Sequence, residues 1–180
     1  MIKKWKGEGN SERTISELWN KYVPKHLLPR LHGYEILMAP YTIAHLKIGL
    51  ALYETGYRFD SGERVHVYLT NALEPPNDKQ LTLDFLPALA HEAKSVNTIK
   101  SAQRFTVVIG NPPYSAMSAN LSNEVRSIID PYRFVNGKRI KEKSMLRLEM
   151  QLQDDYIKFI RFSQILIERA GGGVFGLIVN

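Results

Sequence analysis

The sequence predicts an α/β protein built on a parallel sheet with crossover helices. Short apolar strand patterns alternate with amphipathic helix patterns along the chain, an order that is typical of parallel strands joined through helices. A second observation is that three of the strand patterns end at polar residues, which are Glu35, Asn71 and Asn111. Ligands of such sheets bind at the carboxyl ends of the strands, so we expect these side chains to share one rim.

Length and composition indicate one globular domain. The chain has 180 residues, of which 44% are hydrophobic, and this is enough for one sizeable core. No apolar run is long enough to cross a membrane, and the basic N-terminus lacks the apolar core of a signal peptide, so we expect a cytoplasmic protein without a membrane partner. The absence of cysteine excludes a disulfide framework and a thiolate metal site.

Charge gives a weaker indication of the partner. The net charge of +6 is compatible with a polyanion, although many cytosolic proteins are mildly basic. Cations interleaved with aromatic residues lie in the last third of the chain: Tyr132, Arg133, Phe134, Lys138, Arg139, Lys141 and Lys143. This run either contacts phosphates or forms a solvated charged face.

The predicted elements follow from periodicity and from helix start and stop signals. Residues 1–10 are basic and contain glycine, so we expect them to be loose. Thr14 and Glu17 have the spacing of a capping box, and the helix that follows ends at Pro24. The later predicted elements are strands over 31–37, 65–70, 107–109 and 174–179, helices over 40–55, 85–100 and 152–170, and a flap over 115–123. We expect the helix over 40–55 to be mostly buried, and the last two strands to be buried as well.

The most informative stretch is Asn111, Pro112, Pro113 and Tyr114, directly behind the apolar run 107–109. Each proline fixes its own φ and forces extended geometry on the residue before it, so the loop is held in place. The Asn111 amide oxygen and the Pro112 carbonyl can each accept a hydrogen bond from the exocyclic amine of a nucleobase, and the Tyr114 ring can stack on the base. The alternative is a Pro-Pro turn with a half-buried tyrosine, which is disfavoured because these four residues rarely occur in this order by chance.

This stretch resembles the catalytic motif of the amino-methyltransferases that use S-adenosylmethionine, in which Asn-Pro-Pro-Tyr follows the fourth strand of the sheet. Three further segments, over 26–41, 44–47 and 69–75, look like the adenine-methylating domain of Type ISP restriction–modification enzymes. The resemblance extends from Trp19 to the end of the chain. Methyltransferases that act on protein glutamine also carry the short motif, so the upstream segments are what point to adenine in DNA.

The resemblance implies a Rossmann-like methyltransferase sheet that binds S-adenosylmethionine at its rim. Glu35 is implied to accept hydrogen bonds from the ribose hydroxyls of the cofactor, and its alternative role is to cap the following helix. Asn71 stands where the family commonly has an aspartate that accepts from the adenine amine of the cofactor. An amide keeps the acceptor oxygen but adds no charge, and the alternative is a turn-forming asparagine without a ligand. The implied catalytic residues are Asn111, Pro112, Pro113 and Tyr114.

The resemblance also implies that the chain is an incomplete sheet. The family begins with a strand and a glycine-rich cofactor loop, and neither is recognised here, so we expect a fragment of the catalytic domain. The missing strand belongs between the Glu35 strand and the Val107 strand, and two edges without it invite aggregation or pairing with another chain. We therefore expect this chain alone to bind S-adenosylmethionine poorly and to have little activity. Its expected partners are DNA and the remainder of the enzyme or a partner chain.

The implied reaction is methyl transfer, without a metal, to N6 of an adenine flipped out of DNA by a site-specific restriction–modification enzyme. Two other functions stay open at this point. One is an N-methyltransferase that acts on RNA or on protein glutamine. The other is an inactive remnant that only binds nucleic acid, which salt-dependent DNA binding without methyl transfer would favour.

Overall fold

The computed structural model describes residues 1–60, 62–76, 87–113, 120, 122–140, 149 and 151–178, with side chains from residue 92 onward in the helix that begins at Pro87. By its internal contacts the chain divides into two compact units, residues 1–72 and 73–180. Both units combine helices with parallel strands, which confirms the predicted α/β class.

The first unit is a parallel strand pair with helices before and between its strands. Strand β1 (His32–Glu35) pairs with strand β2 (His66–Leu69) in parallel, so that Glu35 lies opposite Leu69 at the carboxyl ends. The elements in chain order are α1 (Ile2–Gly7), α2 (Glu12–Tyr22), a π-helical turn (Val23–Leu27), a 3-10 turn (Leu28–Arg30), β1 (His32–Glu35), α3 (Met38–Glu54) and β2 (His66–Leu69). The buried core of this unit is formed by Val23, Leu28, Leu52 and Tyr57.

The second unit contains another parallel pair and a small antiparallel hairpin. Strand β3 (Val107–Gly110) pairs with β6 (Val174–Leu177) in parallel. The hairpin strands β4 (Phe134–Val135) and β5 (Lys138–Arg139) pair in antiparallel orientation. The elements are α4 (Pro87–Ala102), β3 (Val107–Gly110), α5 (Asn123–Ser127), a 3-10 turn (Asp130–Arg133), β4 (Phe134–Val135), β5 (Lys138–Arg139), α6 (Asp155–Ala170) and β6 (Val174–Leu177). The predicted strands and the helices that join them are therefore confirmed where the structure describes them, while most of the predicted flap over 115–123 lies outside the described residues.

The N-terminal segment was predicted to be loose, and this prediction is wrong because α1 occupies it. The Trp5 ring packs edge-on against Tyr22 with the ring centroids 6.0 Å apart, and the Asn10 amide donates to the Trp5 carbonyl over 3.1 Å. An aromatic contact of this kind offsets part of the entropy lost on ordering a short helix.

The start of α2 differs from the prediction. The N-cap is Ser11, whose hydroxyl accepts from the Thr14 N–H over 3.2 Å, so Thr14 lies inside the helix. The predicted end at Pro24 is confirmed, because α2 ends at Tyr22 with Val23 as its C-cap. Pro24 lacks the N–H that would continue the α-helical hydrogen bonds, and it lies in the π-helical turn that follows.

A close approach of two backbones sets the register of β3 and β6. Gly173 lies beside Thr106, and a Cβ at position 173 would lie only 2.2 Å from the Thr106 carbonyl oxygen. Without that Cβ, the Val174 N–H donates to the same carbonyl over 2.9 Å and the ladder begins. The glycine run that was predicted to stop the long helix therefore also admits β6 to its place beside β3.

The predicted burial of three apolar segments is wrong. On β3 the Ile109 side chain is 83% exposed, on α3 Leu46 is 69% exposed, and on β6 Val174 is 64% exposed. These residues have the composition of a buried sheet and its covering helix, but no element that the structure describes covers them. The apolar pattern of the sequence therefore predicted the two strands and the helix correctly, but it did not predict how exposed their side chains are.

Two isoleucines of the second unit provide a matched test of this burial pattern. Ile129 is fully buried, so we expect Ile129→Ala to lower the free energy of unfolding by about 2–5 kcal/mol through lost burial and a cavity. Ile109→Ala removes the same atoms from an exposed site, so we expect a change of less than about 0.5 kcal/mol. Urea unfolding followed by circular dichroism measures both. Equal losses would contradict the burial described for this chain.

Candidate functional site at the carboxyl ends of the strands

The sequence-predicted motif begins where β3 ends. The Gly110 carbonyl accepts from the Ile178 N–H over 3.0 Å, which is the last rung of the β3–β6 ladder, and Asn111 follows directly. Asn111 is exposed, Pro112 is buried and Pro113 is exposed, so the corner is anchored through the first proline. The structure thus brings these three residues together at the carboxyl end of a parallel strand.

The chemistry available at this corner follows from the two prolines. The residue before a proline is held in extended geometry, which applies to both Asn111 and Pro112. Prolines cannot donate a backbone hydrogen bond, so positions 112 and 113 present carbonyl oxygens only. An exposed amide oxygen and a neighbouring backbone carbonyl can each accept one hydrogen bond from the same amine group. The fourth residue of the motif, Tyr114, lies outside the described residues.

The chain re-enters the described region at Asn120, which is held by a buried polar network on α6. The Asn120 amide donates to the Asp155 carboxylate over 2.9 Å, and the Lys158 ammonium donates to the Asn120 carbonyl over 3.0 Å. The Lys158 and Asp155 charges lie 3.6 Å apart, and both side chains are buried. The segment that starts at the buried Pro112 is therefore fixed again eight positions later.

Burying the Lys158 ammonium in this network changes its pKa. Burial lowers the pKa of the Lys158 ammonium, and the charge of Asp155 acts in the opposite direction. Sequence reasoning missed both residues. The available signal was an acid and a base three residues apart at the start of an otherwise amphipathic helix, on the side that also carries Leu166.

The two predicted cofactor residues lie at the carboxyl end of the other parallel pair. Glu35 ends β1 and Asn71 follows β2 by two residues, and the Thr70 N–H donates to the Glu35 carbonyl over 2.7 Å. The two strand ends are thus adjacent within the first unit. Glu35 and Asn71 belong to that unit and Asn111 to the other, so their predicted common rim stays a prediction.

The Glu35 carboxylate binds two backbone N–H groups ahead of α3, so its contacts are not those of a cap on the first turn of that helix. Its Oε1 atom accepts from the N–H groups of Ile36 and Leu37 over 2.8 and 2.9 Å, just before α3 begins at Met38. These contacts fix the carboxylate group in space. Its Oε2 atom accepts no hydrogen bond from the part of the chain that the structure describes. One oxygen of a positioned carboxylate therefore stays available to a ligand hydroxyl.

Lys100 ties α4 to the segment that follows the tip of β2. Its ammonium donates to the Glu74 carbonyl over 2.8 Å, and the side chain is almost fully buried. Burial lowers the pKa of Lys100 from 10.5 to about 8, against the opposing effect of the Glu74 carboxylate. Among the described residues no group of three or more histidine, aspartate or glutamate side chains is placed to hold a metal ion.

The basic run is only partly available to a ligand. Arg133 is engaged in ion pairs with Asp130 and Glu149, whereas Lys138 and Arg139 are exposed on β5. Lys141 and Lys143 lie outside the described residues. Among the described cations of the run, Arg133 is therefore committed to the protein, and for Lys138 and Arg139 both interpretations stay open.

Replacing Lys158 tests whether the buried network holds the loop. We expect Lys158→Met to lower the free energy of unfolding by about 3–5 kcal/mol, because Asp155 is left as an uncompensated buried charge. The double variant Lys158→Met/Asp155→Leu removes both charges and is expected to regain more than half of that loss. Chemical denaturation of the three proteins measures this. A double variant that is as unstable as Lys158→Met would refute the ion-pair account.

The pKa of Lys100 predicts a pH dependence of stability. Between pH 8 and 10.5 the unfolded lysine retains a proton that the folded lysine has released, so the free energy of unfolding rises with pH. We expect a rise on the order of 2 kcal/mol across that window. Lys100→Met should abolish it, and Lys94→Met, at an exposed position of the same helix, should retain it. Unfolding curves at several pH values decide the matter, and a rise that survives in Lys100→Met would assign it to another group.

Comparisons with known proteins give one informative likeness. No family model matches the chain, and no curated protein matches it. Among solved structures, a chain in the cryoEM structure of a DrdV–DNA complex is similar, with a TM-score of 0.50 and 26% sequence identity, over 91% of this chain and 15% of that one. The present chain thus spans about 15% of the length of its structural relative. Within the described residues, no helix combines the length and the apolar character needed to cross a membrane.

Proposed function

We propose that this chain is part of a site-specific DNA adenine methyltransferase of a restriction–modification system. In this proposal it contributes the corner that receives the N6 amine of an adenine flipped out of the duplex. The observation that carries the proposal is the position of Asn111, which is exposed and directly follows a parallel strand, with Pro112 buried behind it. This is the position that the resemblance assigns to the catalytic asparagine.

The corner acts by accepting one hydrogen bond from each N–H of the amine. The Asn111 oxygen and the Pro112 carbonyl thereby draw the amine hydrogens out of conjugation with the base, which localises the lone pair on nitrogen. The nitrogen can then bond to the methyl carbon as the carbon–sulfur bond breaks, and it releases one proton to solvent. Catalysis of this kind rests on position and electrostatics. In the proposal Tyr114 stacks on the base and offsets about 1–3 kcal/mol of the cost of flipping it.

The cofactor residues fit S-adenosylmethionine in their chemistry. When bound, this cofactor supplies a methyl group on a positively charged sulfur. Glu35 has one carboxylate oxygen fixed by backbone N–H groups and a second that can accept from a ribose hydroxyl. Asn71, at the end of the adjacent strand, offers an acceptor for the adenine amine of the cofactor.

The strand pairing also supports the proposal. In the sheet that the resemblance implies, one strand stands between the Glu35 strand and the Val107 strand. The observed pairs, β1 with β2 and β3 with β6, are compatible with this order, because neither pair joins those two strands directly. The Val107 and Ile109 side chains of β3 lie on the faces of its sheet, and their exposure agrees with a sheet that further elements cover.

DNA is the favoured acceptor because of the structural likeness. The similar chain was solved in a complex with DNA, and the likeness extends over 91% of the present chain. The net charge of +6 is compatible with a polyanionic substrate. The resemblance of the upstream segments to adenine-methylating domains narrows the base to adenine.

The test is Asn111→Ala in the full-length enzyme, assayed for methyl transfer to DNA and for formation of N6-methyladenine by mass spectrometry. We expect a loss of activity of about 100- to 1,000-fold, with the affinity for S-adenosylmethionine changed by less than about twofold. Gln103→Ala, at an exposed amide eight positions upstream, is the control and should retain activity. Retained activity in Asn111→Ala would contradict the assigned role.

Two outcomes of the same assay would replace the proposed function. Transfer to RNA or to protein glutamine, with DNA unmodified, would keep the chemistry and change the acceptor. Salt-dependent DNA binding without transfer to any of the three polymers would identify a remnant that only binds nucleic acid.

A further inference from the structure

The second unit contains an open hollow of about 660 Å³ that the reaction above does not use. It lies between α5, the 3-10 turn over Asp130–Arg133 and the β4–β5 hairpin, and Glu149 and Gln153 line the side that leads to α6. Its lining includes three arginines, which are Arg126, Arg133 and Arg139. The distribution of charge among them determines what the hollow can bind.

Arg133 is committed to the protein. Its guanidinium forms two parallel hydrogen bonds with the Glu149 carboxylate, each 2.8 Å long, and a further ion pair with Asp130. The hydrogen bond from Arg133 lowers the pKa of the Glu149 carboxyl below its usual range. This carboxylate is therefore ionised near neutral pH and forms an ion pair with Arg133. Both acids of the hollow therefore pair with Arg133, whose single charge offsets one of their two charges.

Arg126 and Arg139 are left without an ion pair to any residue that the structure describes, and both are exposed. An exposed pair of arginines in one concave surface repels itself unless an anion lies between them. The net charge of the lining is +1, from three arginines and two carboxylates. The hollow is therefore prepared for an anion with several acceptor oxygens.

The hairpin places an aromatic ring beside one of these arginines. Asn136 and Gly137 have φ values of 50° and 74°, as in the tight two-residue turn that favours hairpins with the right twist. Phe134 pairs with Arg139 across the hairpin, so their side chains share one face, and both line the hollow. Phe134 is 49% exposed. An apolar ring next to a guanidinium suits a ligand that alternates phosphate with flat, partly apolar groups.

Hydrogen bonds join the elements that form the hollow. The Ile140 N–H donates to the Arg133 carbonyl over 2.8 Å at the base of the hairpin. The Tyr132 hydroxyl donates to the Gln164 side chain on α6 over 2.7 Å. A fixed framework reduces the conformational entropy that binding would otherwise cost.

We propose that this hollow binds the phosphodiester backbone of DNA, with Arg126 and Arg139 on the phosphate oxygens and Phe134 against the adjoining nucleoside. The choice of DNA among phosphate polymers rests on the proposed function. The contact is separate from the Asn111 corner in chemistry, since it recognises the backbone, carries no sequence information and takes no part in methyl transfer. Its role is to hold the duplex in register while the base is flipped.

The test measures the affinity of the chain for a labelled DNA duplex by fluorescence anisotropy, at a series of salt concentrations. Arg126→Gln/Arg139→Gln should weaken binding and reduce the slope of log affinity against log salt by about 2, because two phosphate contacts are lost. The matched control is Lys94→Gln/Arg169→Gln, which removes the same charge from exposed positions of the same unit and should leave the slope unchanged. Circular dichroism verifies that both variants are folded.

Three outcomes would overturn the inference. The first is an equal change of slope in both variants, which would reflect net charge alone. The second is an absence of duplex binding by the unmodified chain. The third is tighter arginine-dependent binding to an RNA duplex of the same sequence at equal salt. A failure of methyl transfer that leaves the arginine-dependent slope intact would contradict the proposed function and support the backbone site.

Discussion

The pairing of β3 with β6 is the constraint on which the candidate site depends. The pairing requires a glycine at position 173, because any side chain there would collide with the Thr106 carbonyl. Once the strands pair, the Gly110 carbonyl is used by the Ile178 N–H, and the next residue is the first that the ladder leaves to other partners. Asn111 is therefore placed at the strand end by a backbone contact at Thr106, which lies about 16 Å away along the strand at about 3.3 Å per residue.

The segment after Asn111 is fixed at both of its described ends by different means. At the start, two prolines restrict the backbone and the first of them is buried. At Asn120, a buried lysine and aspartate of α6 hold the main-chain carbonyl and the side-chain amide. Replacing such a charge pair with apolar residues is often neutral for stability, so its presence here is better explained by the position it gives to Asn120.

Much of the fold could be predicted from the sequence, because it depends on local signals. Apolar runs and helical periodicity located the strands and long helices, and the stop at Gly171 agrees with its left-handed φ of 81°. The errors arose where tertiary contacts decide. Trp5 packs on Tyr22 and orders a segment that was predicted from its composition to be loose. Burial of β3, α3 and β6 was not predictable, since it depends on which surfaces meet.

The candidate site was predictable in part for the same reason. A rare local motif identified Asn111 and its prolines, and strand ends identified Glu35 and Asn71. The contacts of Asn120 with Asp155 and Lys158, and the ion pair of Arg133 with Glu149, join residues far apart in the chain, and one sequence contains no signal for such pairs. One Glu35 oxygen accepts from the Ile36 and Leu37 N–H groups, which sequence alone did not predict.

In the proposed reaction, the amine of an extruded adenine lies between the Asn111 amide oxygen and the Pro112 carbonyl. The most direct measurement is a crystal structure of the full-length enzyme with duplex DNA and a cofactor analogue that cannot transfer its methyl group. The account predicts the N6 atom within hydrogen-bond distance of both oxygens, at about 2.7–3.2 Å. A flipped base bound elsewhere, with Asn111 turned away from it, would contradict the account.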